Sequence, residues 1–238
     1  MVFRGNLDLS DMGLTELPDL SAVTVTGDFN CSYNKLTTLN GAPKSVGGDF
    51  YCYRNKLKSL VGVPEKVEGD FNCIYNDLTS LAGAPKSVGR RFDCSGNQLT
   101  SLVGAPESVG GDFYCYNNLL KSLVGAPEKV ERHFDCHDNQ LTSLAGAPKS
   151  VGGFFYCYDN QLTTLDGAPQ TVGGDFDCSG DKLSMSLDGF ACKIGGDFIC
   201  DRGSLKAKDA QIQLAARVAA KQKEISAELA RQAKQRKK

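Results

Sequence analysis

The sequence predicts a repeat solenoid, in which single short strands stack coil on coil into one parallel sheet, followed by a C-terminal α-helix. Three observations predict it. Eight cysteines from Cys31 to Cys178 follow one another at intervals of 21 residues. Seven of them, Cys31 to Cys157, sit in the same string, F-x-C-x-x-N-x-L-x-x-L, as in FNCSYNKLTTL or FDCHDNQLTSL, and Cys178 sits in a degenerate copy. Pro43, Pro64, Pro85, Pro106, Pro127, Pro148 and Pro169 keep the same period. A fixed period of this length means that each unit buries its apolar face only against its neighbours, so the ends need caps.

The front coil, residues 1–26, reads as that cap, because in GNLDLSDMGLTELPDL Leu7 and Leu9 take the Phe and Cys positions. In the coils that follow, Phe and Cys lie two apart and point to one face of a strand, while the residues before, between and after them point to the other. The asparagine three after each cysteine, from Asn34 to Asn160, suits a buried bend, since an amide can serve backbone groups of its own turn and of the next. Leucines two and five further on complete the inward set. The recurrent G-A-P segment predicts an extended back, because proline fixes φ and forbids a helix interior. The Gly-Gly pairs read as turn residues. About ten coils over residues 1–203, at a strand spacing of about 4.8 Å, make a rod on the order of 50 Å long.

The string resembles the leucine-rich repeat, with Phe and Cys in two leucine positions. N-Q-L-T-S-L followed by x-G-A-P-x-x-V is similar to the short bacterial class found in effectors of enteric pathogens, and the F-x-C units look like repeats encoded by bacteriophages. The chain departs from that class by one extra residue per coil, by Gly-Ala-Pro in place of a proline-rich segment, and by the Gly-Gly lead into the strand. The resemblance implies a curved solenoid with the strands on its concave face. It also implies a protein-binding role, with inhibition of a host defence protein as one form.

From Ser204 onward glycine and proline disappear, and Ala, Gln, Lys and Glu dominate. The segment 204–238 predicts a helix with Ser204 as its N-cap and a thin apolar stripe through Leu214, Val218, Ile225 and Leu229. Charge divides with it: residues 1–200 hold 16 basic and 24 acidic side chains, and residues 201–238 hold 11 and 4. The body is thus −8 and the tail +7, summing to the net −1 of the chain. Arg231, Lys234, Arg236, Lys237 and Lys238 end the sequence, where a helix dipole favours cations. Three roles stay open for this segment: contact with nucleic acid, oligomerisation through the helix, and a solvated helix end.

No run of 18 apolar residues and no signal-like start is present, so the expectation is a cytoplasmic protein with no membrane partner. Ten cysteines would suggest disulfides in a secreted chain, but one-coil spacing reads instead as a column of small buried thiols. Zinc sites want ligand pairs two to four residues apart, and this column provides none, so no cofactor and no metal is expected. Cys192 lies off the column and is the expected exposed thiol. The tripeptides CHD (136–138) and CYD (157–159) imitate the C-x-D of effector ubiquitin ligases, but both cysteines fall in the buried column. No Ser-His-Asp set, phosphate loop or glycine fingerprint is visible, and the chain reads as non-enzymatic.

Both histidines lie in ERHFDCHDNQ. His133, Asp135 and His137 share the outward face, with the histidines about 13 Å apart along an extended strand, too far to share one small ion. A site using Asp135, one histidine and a residue of the next coil is the remaining metal reading, and contact residues that titrate near neutrality are the other. The outward face is acidic and dotted with tyrosine. Arg91, His133 and Phe154 interrupt a column of aspartates, beside Tyr114, Tyr116, Tyr156 and Tyr158. Amphipathic rings and Arg are enriched at protein interfaces, so this central patch is the expected contact surface for a protein partner, with a basic partner suited to its charge.

Overall fold

The computed structural model describes residues 1–181 and 190–200 in full and the backbone of 203–206. Among these residues the architecture is the expected solenoid. The main sheet begins at Leu7–Asp8, continues through Phe29–Asn30, Phe50–Tyr51 and each later Phe-x pair, and reaches Asp197–Cys200 with every pairing parallel. Register is strict, with Phe92 beside both Phe71 and Phe113. A slip of one residue would turn every Phe outward.

From Leu7–Asp8 to Phe176–Asp177 each strand is only two residues long, because the coil must bend at once into the asparagine turn. Tyr33, Arg54, Tyr75, Asn117, Asp138 and Asp159, two after the cysteine, all adopt positive φ of 51 to 55° there, and Gly96 and Gly180 occupy the same position. The asparagine holds the bend. Asn97 Nδ2 donates to the carbonyls of Cys73, Cys94 and Ser95, and its Oδ1 accepts the N–H of Leu78. One buried amide therefore ties two coils together, as its recurrence predicted, and Asn34 to Asn160 repeat the arrangement.

Inside, the Phe rings form a continuous column from Phe29 to Phe198, with neighbouring centroids 5.0 to 5.7 Å apart. Beside them runs the thiol column, and the paired leucines fill the remainder. All ten cysteines are buried. Burial raises the thiol pKa well above its ordinary value from Cys52 to Cys157, which makes these groups packing atoms rather than nucleophiles. Cys192 corrects the sequence reading: it is 5% exposed, and burial pushes its pKa up to about 12.

Three further features correct or refine the expectation. The proline-bearing back is not merely extended, because the Thr24–Val25, Ser45–Val46 and Ser87–Val88 positions pair in parallel into a second sheet. That sheet runs as six strands from Val2–Phe3 to Ser108–Val109 and as four from Lys129–Val130 to Lys193–Ile194. The Gly-Gly pairs, in turn, are not left-handed; the positive φ falls on the glycines of G-A-P, such as Gly125 at 99°. Gly47 and Gly48 are small because a Cβ would collide with the preceding coil, at the Thr26 carbonyl and the Asp28 carboxylate. Ser204 is no helix N-cap: Gly203–Lys206 folds back antiparallel on Asp197–Cys200, with Ser204 opposite Ile199. The remainder of the expected helix, including the basic residues from Arg231, lies outside the described residues. No helix among the described residues is long and apolar enough to cross a membrane.

Candidate protein-binding face

The outer face of the main sheet carries three side-chain columns, before, between and after the inward Phe and Cys. The first is not free surface charge. Asp28 Oδ1 accepts the N–H of Asp49 at 2.8 Å, Asp49 that of Asp70 at 2.7 Å, and Asp70 that of Arg91 at 3.0 Å. Asn6 starts this ladder below Asp28, and Asp175 carries it to Asp197 at the far end. Each carboxylate thus satisfies a donor that the turn into the next strand would strand.

The second column has a similar duty in alternate coils. Asn30, Asn72, Asp93, Asp135 and Asp177 each accept the N–H two residues ahead, at 3.0 to 3.2 Å. Asp93 is 2% exposed, and burial pushes its pKa up to about 6 even though Ser95 and Arg91 favour its charged form. The acidic composition of the face therefore overstates its capacity to attract a basic partner.

Where this column carries tyrosine, the rings meet. His133 stacks on Phe154 with centroids 4.6 Å apart, and Phe154 on Tyr156 at 5.6 Å. Tyr156 touches Tyr158 at 6.1 Å, Tyr158 stacks on His137 at 4.4 Å, His137 on Tyr116 at 4.7 Å, and Tyr116 reaches Tyr114 at 6.4 Å. Seven of the nine residues singled out from the sequence form one unbroken path of half-buried rings. Asp135 lies within it, and Arg91 stands to one side, joined to Asp70 at 3.1 Å. Burial raises the pKa of Tyr114, Tyr116, Tyr156 and Tyr158, with nearby aspartates adding to it, and Tyr114 reaches about 12, so the phenols stay protonated donors.

The two histidines have separate duties. His133 Nδ1 accepts the N–H of Phe154 at 2.9 Å, taking the place of a ladder carboxylate, which puts its ring proton on Nε2. His137 Nδ1 lies 2.6 Å from Asp135 Oδ1, and that contact orients its ring for stacking. Asp135 and His137 are thus committed to each other, and among the described residues no three His, Cys, Asp or Glu side chains are placed to hold a metal ion.

Sequence reasoning missed a second cluster. Arg54 lies over the rings of Tyr33 and Tyr75, 5.5 and 4.9 Å from their centroids, and Tyr33 packs against Tyr53 at 5.3 Å. Tyr33 and Tyr75 are 50% and 47% exposed. The signal was available: the left-handed position carries Gly, Asn or Asp in the later coils, and Tyr33, Arg54 and Tyr75 break that rule, a conformation costly for bulky side chains.

A two-residue parallel strand, an asparagine-held bend and paired inward leucines, repeated every 21 residues, define a leucine-rich repeat solenoid. The fold is shared with solved bacterial proteins. One is the leucine-rich repeat domain of a Shigella effector, at 20% identity over 83% of this chain and 82% of that chain, with a TM-score of 0.52. Another is YopM, a leucine-rich effector protein from Yersinia pestis, at 22% identity and a TM-score of 0.51, where the match covers 81% of this chain and 61% of YopM. No protein-family model and no curated protein matches the chain.

Proposed function

We propose that the protein is a non-enzymatic scaffold that binds a protein partner through the outer face of its main sheet, and that it acts in a host cytoplasm by occluding a host factor. The observation that carries the reading is the ring path from His133 through Tyr158 and His137 to Tyr114. It offers stiff, amphipathic area already held in place by stacking, so little side-chain entropy is lost on contact. The host-directed part rests on the resemblance to phage-type repeats and on the effector descriptions of the two similar structures.

The test is a partner captured from host extract, identified, and measured again in purified form against the triple variant Tyr114→Ala, Tyr156→Ala, Tyr158→Ala. Loss of two hot-spot rings or more weakens binding at least about 100-fold. Affinity unchanged in a variant with native thermal stability overturns the site.

A further inference from the structure

The carboxylate ladder of the outer face is broken after Arg91 and after Phe154, and the two breaks differ. At the second, the Phe154 ring fills the space beside Gly174, where a Cβ would strike its Cδ1. At the first, Arg91 turns back on the preceding coil and donates from Nη2 to Asp70 Oδ2 at 3.1 Å. An arginine has no acceptor to offer. The N–H of Asp112, whose counterparts at Asp49, Asp70 and His133 are each bound by the previous carboxylate, makes no hydrogen bond among the described residues.

Small residues mark the same place. A Cβ at Gly48, Gly69 or Gly196 would collide with a ladder carboxylate, whereas at Gly111 it would meet only backbone atoms of Arg90. The slot that elsewhere holds a carboxylate opens here into a cavity of about 430 Å³, lined by Arg90, Arg91 and Arg132 around the Gly110–Gly111 backbone, with Asp70 and Asp112 at its sides. On a face otherwise studded with aspartate, three guanidinium groups gather around this one cavity.

Those guanidinium groups are not used up. Arg90 lies 3.7 Å from Asp70 through Nε and 3.9 Å from Asp49 through Nη1, and Arg132 Nε lies 3.6 Å from Asp112, all beyond good hydrogen-bond distance. Arg91 Nε is buried with no hydrogen-bond partner among the described residues. Two donors without a partner among the described residues, the Asp112 N–H and the Arg91 Nε–H, thus belong to residues lining one cavity rich in guanidinium groups. Donors left in this state cost free energy until an acceptor arrives, and planar guanidinium forks match oxyanions best.

We propose that this cavity is an oxyanion site, which takes a carboxylate or phosphoryl group into the ladder position that Arg91 leaves open. One ligand oxygen accepts from Asp112 N–H, and the arginines neutralise the remaining charge. The assignment requires nothing of the ring path, and its test requires no protein partner.

The experiment follows the backbone amide resonance of Asp112 in ¹⁵N-labelled protein titrated with sodium acetate and, separately, sodium phosphate, at constant ionic strength with chloride as the control. A saturable shift with an oxyanion but not with chloride is expected, and the tighter arm names the carboxylate or the phosphoryl source. Arg91→Asp restores the ladder carboxylate, so its Asp112 amide no longer responds while its thermal stability is at least that of the parent. Arg132→Gln removes one guanidinium and weakens the response at least about tenfold. A shift that matches chloride, that does not saturate, or that survives unaltered in both variants overturns the site.

Discussion

The interior and the outer face of this solenoid obey the same 21-residue period under different rules. Inside, Phe29 to Phe198 are one residue type at one position, each at most 1% exposed, because every ring packs on a copy of itself and any change of volume would be felt by two neighbours. Outside, the residue before Phe is Asp in most coils but Arg91, His133 and Phe154 in three. Uniformity there is set by hydrogen bonding, not packing: aspartate persists where its oxygen serves the next coil's backbone. A surface column can therefore be architectural, and its exceptions become informative only once that duty is known.

The comparison is broken most severely from the interior. Phe113→Ala opens a cavity between Phe92 and Phe134, and a loss of about 3 to 5 kcal/mol is expected in urea unfolding. The ladder gives an intermediate effect, with Asp49→Ala stranding the N–H of Asp70 and lowering stability by about 1 to 3 kcal/mol. If Asp49→Ala proves neutral, the outer aspartates are ordinary surface charge.

The smallest effect is one of pH. The folded pKa of Asp93 is raised to about 6 from an ordinary 3.8, so folding favours its protonated form. Its burial costs nothing extra below the unfolded value; the penalty grows as pH rises from about 4 to about 6 and is fully present above that. Asp93→Asn, whose amide oxygen can serve Ser95 as Asn72 serves Ile74, should gain thermal stability relative to the parent at pH 7 and lose that advantage near pH 4. A difference independent of pH would sink the assignment.

Much of this was legible in the residues. Phe, Cys, Asn and Leu announce the inward set, because burial and backbone service leave few alternatives, and the ring path follows from Tyr114, Tyr116, Tyr156 and Tyr158 standing in the two coils that flank His133 and His137. The second sheet was not legible, since two residues such as Ser87–Val88 between proline and glycine are too short to show alternation. The Asp ladder was hidden for another reason: composition reports charge but not what the charge is bonded to. Cys192 misled because it leaves the thiol column yet still turns inward with Phe190 and Ile194. Arg90 and Arg132 escaped notice because they replace glycine, at a position read only as a turn.

The strand Gly203–Lys206 has a consequence for the molecule among its own copies. A parallel stack of near-identical units is a template for its own extension, since the last coil exposes the same edge that each earlier coil offered to its successor. By running backwards along Asp197–Cys200, this strand occupies that edge with the opposite polarity. Another molecule's coil arriving there would find no parallel register to copy. A four-residue reversal thus covers the edge that a parallel copy would extend, a barrier to end-to-end stacking built from backbone polarity alone.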